Sequence, residues 1–115
     1  MSDKKFRVLS LDGGGIRGIF PAVILSEIEK ELKAKGLENW QIFQNVDLLF
    51  GTSTGGILAL ALSLGIPAEE IKDLYFNNAK NIFGNKKGLL KCINHSSHDR
   101  TSLKSLLEDV FKKYH

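Results

Sequence analysis

The stretch Leu48-Leu49-Phe50-Gly51-Thr52-Ser53-Thr54-Gly55-Gly56-Ile57 decides how the rest of the chain is read. Its apolar triplet reads as a short strand buried on both faces. The run from Thr54 to Leu64 is apolar nearly all round, as in a buried helix ending at Gly65. Gly51-Thr52-Ser53-Thr54-Gly55 therefore falls on a strand-to-helix turn. Such a turn holds its serine in a strained backbone conformation, and the two glycines keep side chains away from it. The Ser53 hydroxyl would stand at the helix N-terminus, where the dipole favours developing negative charge. The plain alternative is a tight turn whose serine caps the helix. As a nucleophile Ser53 needs a base, because a serine hydroxyl attacks poorly until its proton is taken.

Working outward, Phe6-Arg7-Val8-Leu9-Ser10-Leu11 reads as a strand stopped by Asp12 and three glycines. Phe20, Ile24, Ile28 and Leu32 recur every four residues and share one face of a helix running from Pro21 to Lys35. Pro21 suits the first turn, and Lys33 and Lys35 before Gly36 suit the end. Pro67-Ala68-Glu69-Glu70 opens a further helix with acidic residues in its first turn. Residues 84–100 are polar and loop-like. Beyond them Leu103, Leu106, Leu107, Val110, Phe111 and Tyr114 form an amphipathic stripe. Strand, glycine turn, helix, strand, tight turn and helix make an α/β chain: a parallel sheet with helices on both faces. Ligands of such sheets bind beyond the carboxyl ends of the strands. Both glycine-bearing turns, 12–18 and 51–56, fall at that edge and are expected to be neighbours.

Gly13-Gly14-Gly15-Ile16-Arg17-Gly18 has the spacing of a dinucleotide fingerprint. That motif needs an acidic residue at the end of the second strand. Here the strand ends in Phe50-Gly51-Thr52, Asp47 comes too early, and Arg17 with Phe20-Pro21 would crowd a pyrophosphate. Neither turn contains the Gly-Lys-Ser/Thr of a phosphate loop. The other reading is an oxyanion hole, in which the backbone N–H groups of Gly13, Gly14 and Gly15 point into one concavity beside Ser53.

The bulk figures narrow the class. At 115 residues the chain is one domain by length, and 43% hydrophobic with 25% charged residues excludes a disordered chain. A net charge of +3 permits anionic partners without requiring them. The single cysteine, Cys92, excludes an internal disulfide and suits a reducing compartment. The polar start has no apolar region of a signal peptide, and residues 57–64 are too short to span a bilayer. The expectation is a cytoplasmic protein whose membrane contact, if any, is peripheral. Phe83, Leu89 and Leu90 with Lys86, Lys87 and Lys91 could supply such contact, although a buried anchor flanked by solvated lysines is the commoner arrangement. Without an aromatic stacking platform, no nucleic-acid partner is expected.

Ser10-Leu11-Asp12-Gly13-Gly14-Gly15-Ile16-Arg17-Gly18, followed by Gly51-Thr52-Ser53-Thr54-Gly55-Gly56, resembles the N-terminal part of a bacterial-type patatin-like phospholipase domain. The resemblance covers nearly the whole chain, more loosely after about Pro67. It implies a three-layer α/β fold and a lipid acyl hydrolase that acts on phospholipid or another lipid ester through a Ser–Asp dyad, with no metal or cofactor. Carried onto this sequence, Ser53 is the nucleophile and residues 13–18 are the oxyanion loop. Asp12, Gly18, Gly51 and Gly55 support the two turns, and Arg17 supports the loop or a phosphate head group.

The family takes its aspartate from an Asp-Gly-Gly or Asp-Gly-Ala much further along. Here Asp12-Gly13 is the only Asp-Gly, while Asp3, Asp47, Asp73, Asp99 and Asp109 lack the following glycine. Asp73 and Asp109 read as surface charges. The expectation is that residues 1–115 are the N-terminal portion of the domain without the dyad aspartate, inactive alone. With two strands and open edges, such a portion would be marginally stable or self-associating. His95, His98 and Asp99 could form a general base, but they read as a solvated loop, and two histidines without a third ligand make no metal site. The residues are compatible with a lipid acyl hydrolase, a non-catalytic fragment or interaction module, and, least well, a nucleotide-binding domain.

Overall fold

The computed structural model describes residues 3–83 together with residues 104, 107, 108, 111, 112 and 114. Residues 1–74 and 75–115 form two compact units. Strand β1 (Val8–Leu11) leads through a 3₁₀ turn (Gly15–Gly18) into helix α1 (Ile19–Ala34). A second 3₁₀ turn (Ile42–Asn45) precedes strand β2 (Leu48–Gly51), which is followed by helices α2 (Thr54–Ser63) and α3 (Ala68–Phe83). The strands pair in parallel with Val8 opposite Leu48 and Leu11 opposite Gly51. The chain is thus α/β with a parallel sheet and helices, as the order of its segments predicts.

Asp47 fixes that register at the start of the sheet. Its Oδ2 accepts the Arg7 N–H at 2.8 Å while its own N–H donates to the Arg7 carbonyl at 2.8 Å. At the other end the Thr52 N–H donates to the Leu11 carbonyl at 3.1 Å, so the ladder runs one step beyond β2.

The expectation that residues 48–50 are buried on both faces is corrected. Side chains alternate along a pleated strand, and Leu48 and Phe50 are 46% and 50% exposed, as is Val8 at 51%. The opposite face carries Leu11, which is buried, and α2 packs against both strands. Within α2, Leu58 and Leu62 are fully buried, so this helix is the apolar core that its composition suggests. It ends where Gly65 takes φ 79°, which lets the Gly65 N–H reach the Leu62 carbonyl and the Ile66 N–H reach the Ala61 carbonyl. The same pair of bonds closes α1 at Gly36, on the Lys33 and Leu32 carbonyls.

Helix α1 packs through a different face from the one that its apolar period marks. Phe20, Ile24 and Ile28 do share a face, but they are exposed; the buried residues are Ala22, Leu25, Ser26 and Glu29. Glu29 gives the reason. One carboxylate oxygen accepts the Ile42 N–H at 3.0 Å and the other accepts the Ala68 N–H at 2.7 Å. Each is a backbone donor at the start of a helical turn, a group left without an intrahelical partner. Hydrogen bonds to a charged acceptor contribute about 1.5–3 kcal/mol each. One buried side chain therefore ties α1 to the 3₁₀ turn at Ile42 and to the start of α3, and draws its own face inward.

In the second unit Lys104, Leu107, Glu108, Phe111 and Lys112 are helical. Leu107, Phe111 and Tyr114 are half-buried while Lys104, Glu108 and Lys112 are exposed, in keeping with the amphipathic stripe. Leu103, Leu106 and Val110 of that stripe lie outside the described residues, as does Asp109. No helix among the described residues is long and apolar enough to cross a membrane.

Candidate active site

Ser53 stands between β2 and α2 with φ 53° and ψ −125°, the only non-glycine with positive φ among the described residues. That region is essentially reserved for glycine, and occupying it costs on the order of 1–3 kcal/mol. A capping serine has extended backbone angles and bonds the N–H groups of the first turn. Ser53 has neither the angles nor the side-chain bond, so the capping alternative does not describe it. Its side chain is exposed.

The glycines on either side are there because the backbone of β1 is already in the way. A Cβ on Gly55 would overlap the Leu11 carbonyl and lie 2.9 Å from the Asp12 carbonyl carbon. One on Gly51 would lie 2.6 Å from the Leu11 oxygen and against the Gly55 carbonyl. From the facing loop, a Cβ on Gly13 would meet the Thr52 carbonyl and come 2.8 Å from Ser53 Cβ. One on Gly18 would come 2.6 Å from Thr54 Oγ1. Real Cβ atoms do not approach this closely, so the two turns interlock, main chain on main chain at Gly13, Gly51 and Gly55 and against the Thr54 side chain at Gly18. They are neighbours at the carboxyl edge of the sheet, as expected from their positions.

Within the loop, Gly14 and Gly15 have φ 127° and 64°, and the Arg17 N–H closes the turn on the Gly14 carbonyl at 3.3 Å. The stem of Arg17 passes beside Gly14, at contact distance from where a Cβ would be, and the residue is exposed. Asp12 is exposed as well. Thr52, a variable position of the serine pattern, brings a hydroxyl to the loop: its Oγ1 accepts the Gly13 N–H at 3.4 Å. In the sequence Thr52 carries no signal beyond a second hydroxyl next to the serine.

Two other carboxylates are placed as read. Asp47 is bound to Arg7 at the opposite end of β2 from the glycine turns, where it could not serve a nucleotide ribose. Asp73 is exposed on α3 with Lys72 Nζ 3.6 Å away. Among the described residues no hydrogen bond joins Ser53 Oγ to a carboxylate or imidazole, and no three His, Cys, Asp or Glu side chains cluster as metal ligands. The His95, His98 and Asp99 group lies outside the described residues, as do residues 84–91 of the apolar and basic segment that begins at Phe83.

A strand, a glycine turn against it and a strained serine leading into a helix make a strand–turn–helix arrangement with the serine at its sharpest point. The model of the patatin-like phospholipase family matches residues 9–115, and the chain belongs to that family. It is 46% identical over 87 residues to a cGAMP-activated phospholipase of Escherichia coli, covering 75% of this chain and 24% of that protein. A cGAMP-activated phospholipase of Pseudomonas aeruginosa is 38% identical over 110 residues, 93% of this chain and 31% of its own length. Patatin-like protein 2 of Oryza sativa subsp. japonica is 35% identical over 120 residues, with 92% and 30% covered. The chain thus spans about a quarter to a third of the length of these relatives. No solved structure matches it.

Proposed function

We propose that this chain carries the nucleophile and the oxyanion loop of a serine-dependent lipid acyl hydrolase acting on phospholipid or another lipid ester. The observation that carries this reading is the backbone of Ser53, held in a conformation reserved for glycine and wedged between Gly51 and Gly55 against the Gly13 loop. Ser53 Oγ attacks the ester carbonyl carbon, and its proton passes to the base. The oxygen that turns negative faces the N–H groups of Gly14 and Gly15 and the positive end of α2; the Gly13 N–H, expected from the sequence in the same role, is bonded to Thr52 Oγ1 instead. The ester C–O bond breaks, the alcohol leaves with a proton, and water then releases the fatty acid from the acyl-serine. An aspartate outside residues 1–115 acts as the base, so the chain alone is inactive. Contact with the lipid surface is peripheral, through Phe83 to Lys91, in a cytoplasmic setting. The names of the bacterial relatives add control by a cyclic dinucleotide, which we extend to this protein as part of the same proposal.

Intact mass after treatment with a fluorophosphonate probe tests the reading, with Ser53→Ala as control. The isolated chain should label no more than Ser53→Ala. A chimera joining it to the downstream part of the Escherichia coli relative should label on Ser53, faster with cGAMP. Labelling of the chimera elsewhere than Ser53 would refute the nucleophile. Specific labelling of the isolated chain would refute the external aspartate. A non-catalytic module, the second reading, is what an unlabelled but folded chimera would leave.

A further inference from the structure

We infer that Thr52 is a positioning residue for Ser53: its hydroxyl sets the glycine loop in register with the serine turn. The inference rests on Ser53 being the nucleophile. Thr52 is tied on three sides. Its N–H donates to the Leu11 carbonyl at 3.1 Å, its carbonyl accepts the Gly55 N–H at 2.9 Å, and Oγ1 accepts the Gly13 N–H at 3.4 Å. The two backbone bonds hold the serine turn to the end of β1 and to the first turn of α2, and they do not depend on the side chain. The hydroxyl alone reaches the loop, at the residue where a Cβ would collide with the Thr52 carbonyl and Ser53 Cβ. The contact both fixes the distance between loop and serine and occupies the Gly13 N–H. That leaves the N–H groups of Gly14 and Gly15, which follow in positive φ, to meet a substrate oxygen.

Two substitutions separate this role from bulk and stability. Thr52→Val keeps the shape and loses the acceptor; Thr52→Ser keeps the acceptor. In the 115-residue chain, Gly13 amide exchange should rise roughly three- to tenfold in Thr52→Val, as expected for losing one hydrogen bond, and stay near wild type in Thr52→Ser. The Gly65 amide, bonded to the Leu62 carbonyl in a remote cap, serves as the reference and should not change. In the chimera, Ser53 labelling should slow about tenfold in Thr52→Val, a 1.4 kcal/mol effect, and recover in Thr52→Ser. Unchanged Gly13 exchange in Thr52→Val, equal losses in both variants, or parallel acceleration at Gly65 would overturn the assignment. If Gly13 exchange is unchanged while wild-type Ser53 labels normally, Thr52 fails and the nucleophile stands. If wild-type Ser53 does not label, the nucleophile fails and takes the role of Thr52 with it.

Discussion

The two ends of contact in this small sheet differ sharply. At its carboxyl edge, the serine turn and the glycine loop approach so closely that four positions, Gly13, Gly18, Gly51 and Gly55, have no room for a methyl group. On the face away from α2, Val8, Leu48 and Phe50 keep about half of their surface in water. Both regions are built on the same eight strand residues and their immediate continuations. Apolar content therefore does not say where the structure is tightest. The tight place is where main chain meets main chain at Gly13, Gly51 and Gly55 and the Thr54 side chain at Gly18, and the sequence marks it with glycines, not with large side chains.

The contrast can be broken most directly at Gly55. Gly55→Ala forces a Cβ into the Leu11 carbonyl, and neither partner is a flexible side-chain end. It should cost more than about 3 kcal/mol and leave a chain whose far-ultraviolet dichroism no longer melts cooperatively; an unchanged melting curve would mean the turns are not interlocked. Next in size is Glu29→Ala, which strands two backbone donors, the N–H groups of Ile42 and Ala68. The loss should be about 2–5 kcal/mol by denaturant titration, with Glu29→Gln recovering part of it because one amide oxygen remains to accept. Equal losses in the two variants would point to packing as the cause. The smallest effect belongs to the open face. Phe50→Ser should change stability by no more than about 0.5 kcal/mol, while any self-association seen by sedimentation should weaken. A large loss of stability in the monomer would show that the face is covered after all.

How much of this was legible from the residues alone depends on what each pattern encodes. The serine turn, the glycine loop and the helix ends at Gly36 and Gly65 were legible because a backbone that must pass close or turn left-handed leaves glycine no substitute. The packing face of α1 was not. Ala22, Leu25, Ser26 and Glu29 follow helical spacing, but two of the four are polar, so a search for apolar period selects Phe20, Ile24 and Ile28 instead. What draws Glu29 inward is a pair of backbone donors 13 and 39 positions later, and no local pattern announces those. Leu48 and Phe50 misled in the opposite sense: a run of apolar letters in a strand does not reveal that one face of the pleat stays open. Thr52 was invisible for a simpler reason, since its partner is a main-chain N–H.

The Gly13 to Thr52 hydrogen bond joins residues 39 positions apart. Helices α1 and α2 can form from neighbours in sequence, within the time of local relaxation. Parallel pairing of β1 with β2 has to wait until the intervening crossover has closed a long loop, and such closure is slow because its entropy is spent before any contact is gained. The place where Ser53 meets the glycine loop therefore exists only once that crossover has closed. A chain holding only its helices would contain every residue of that meeting point and none of its geometry.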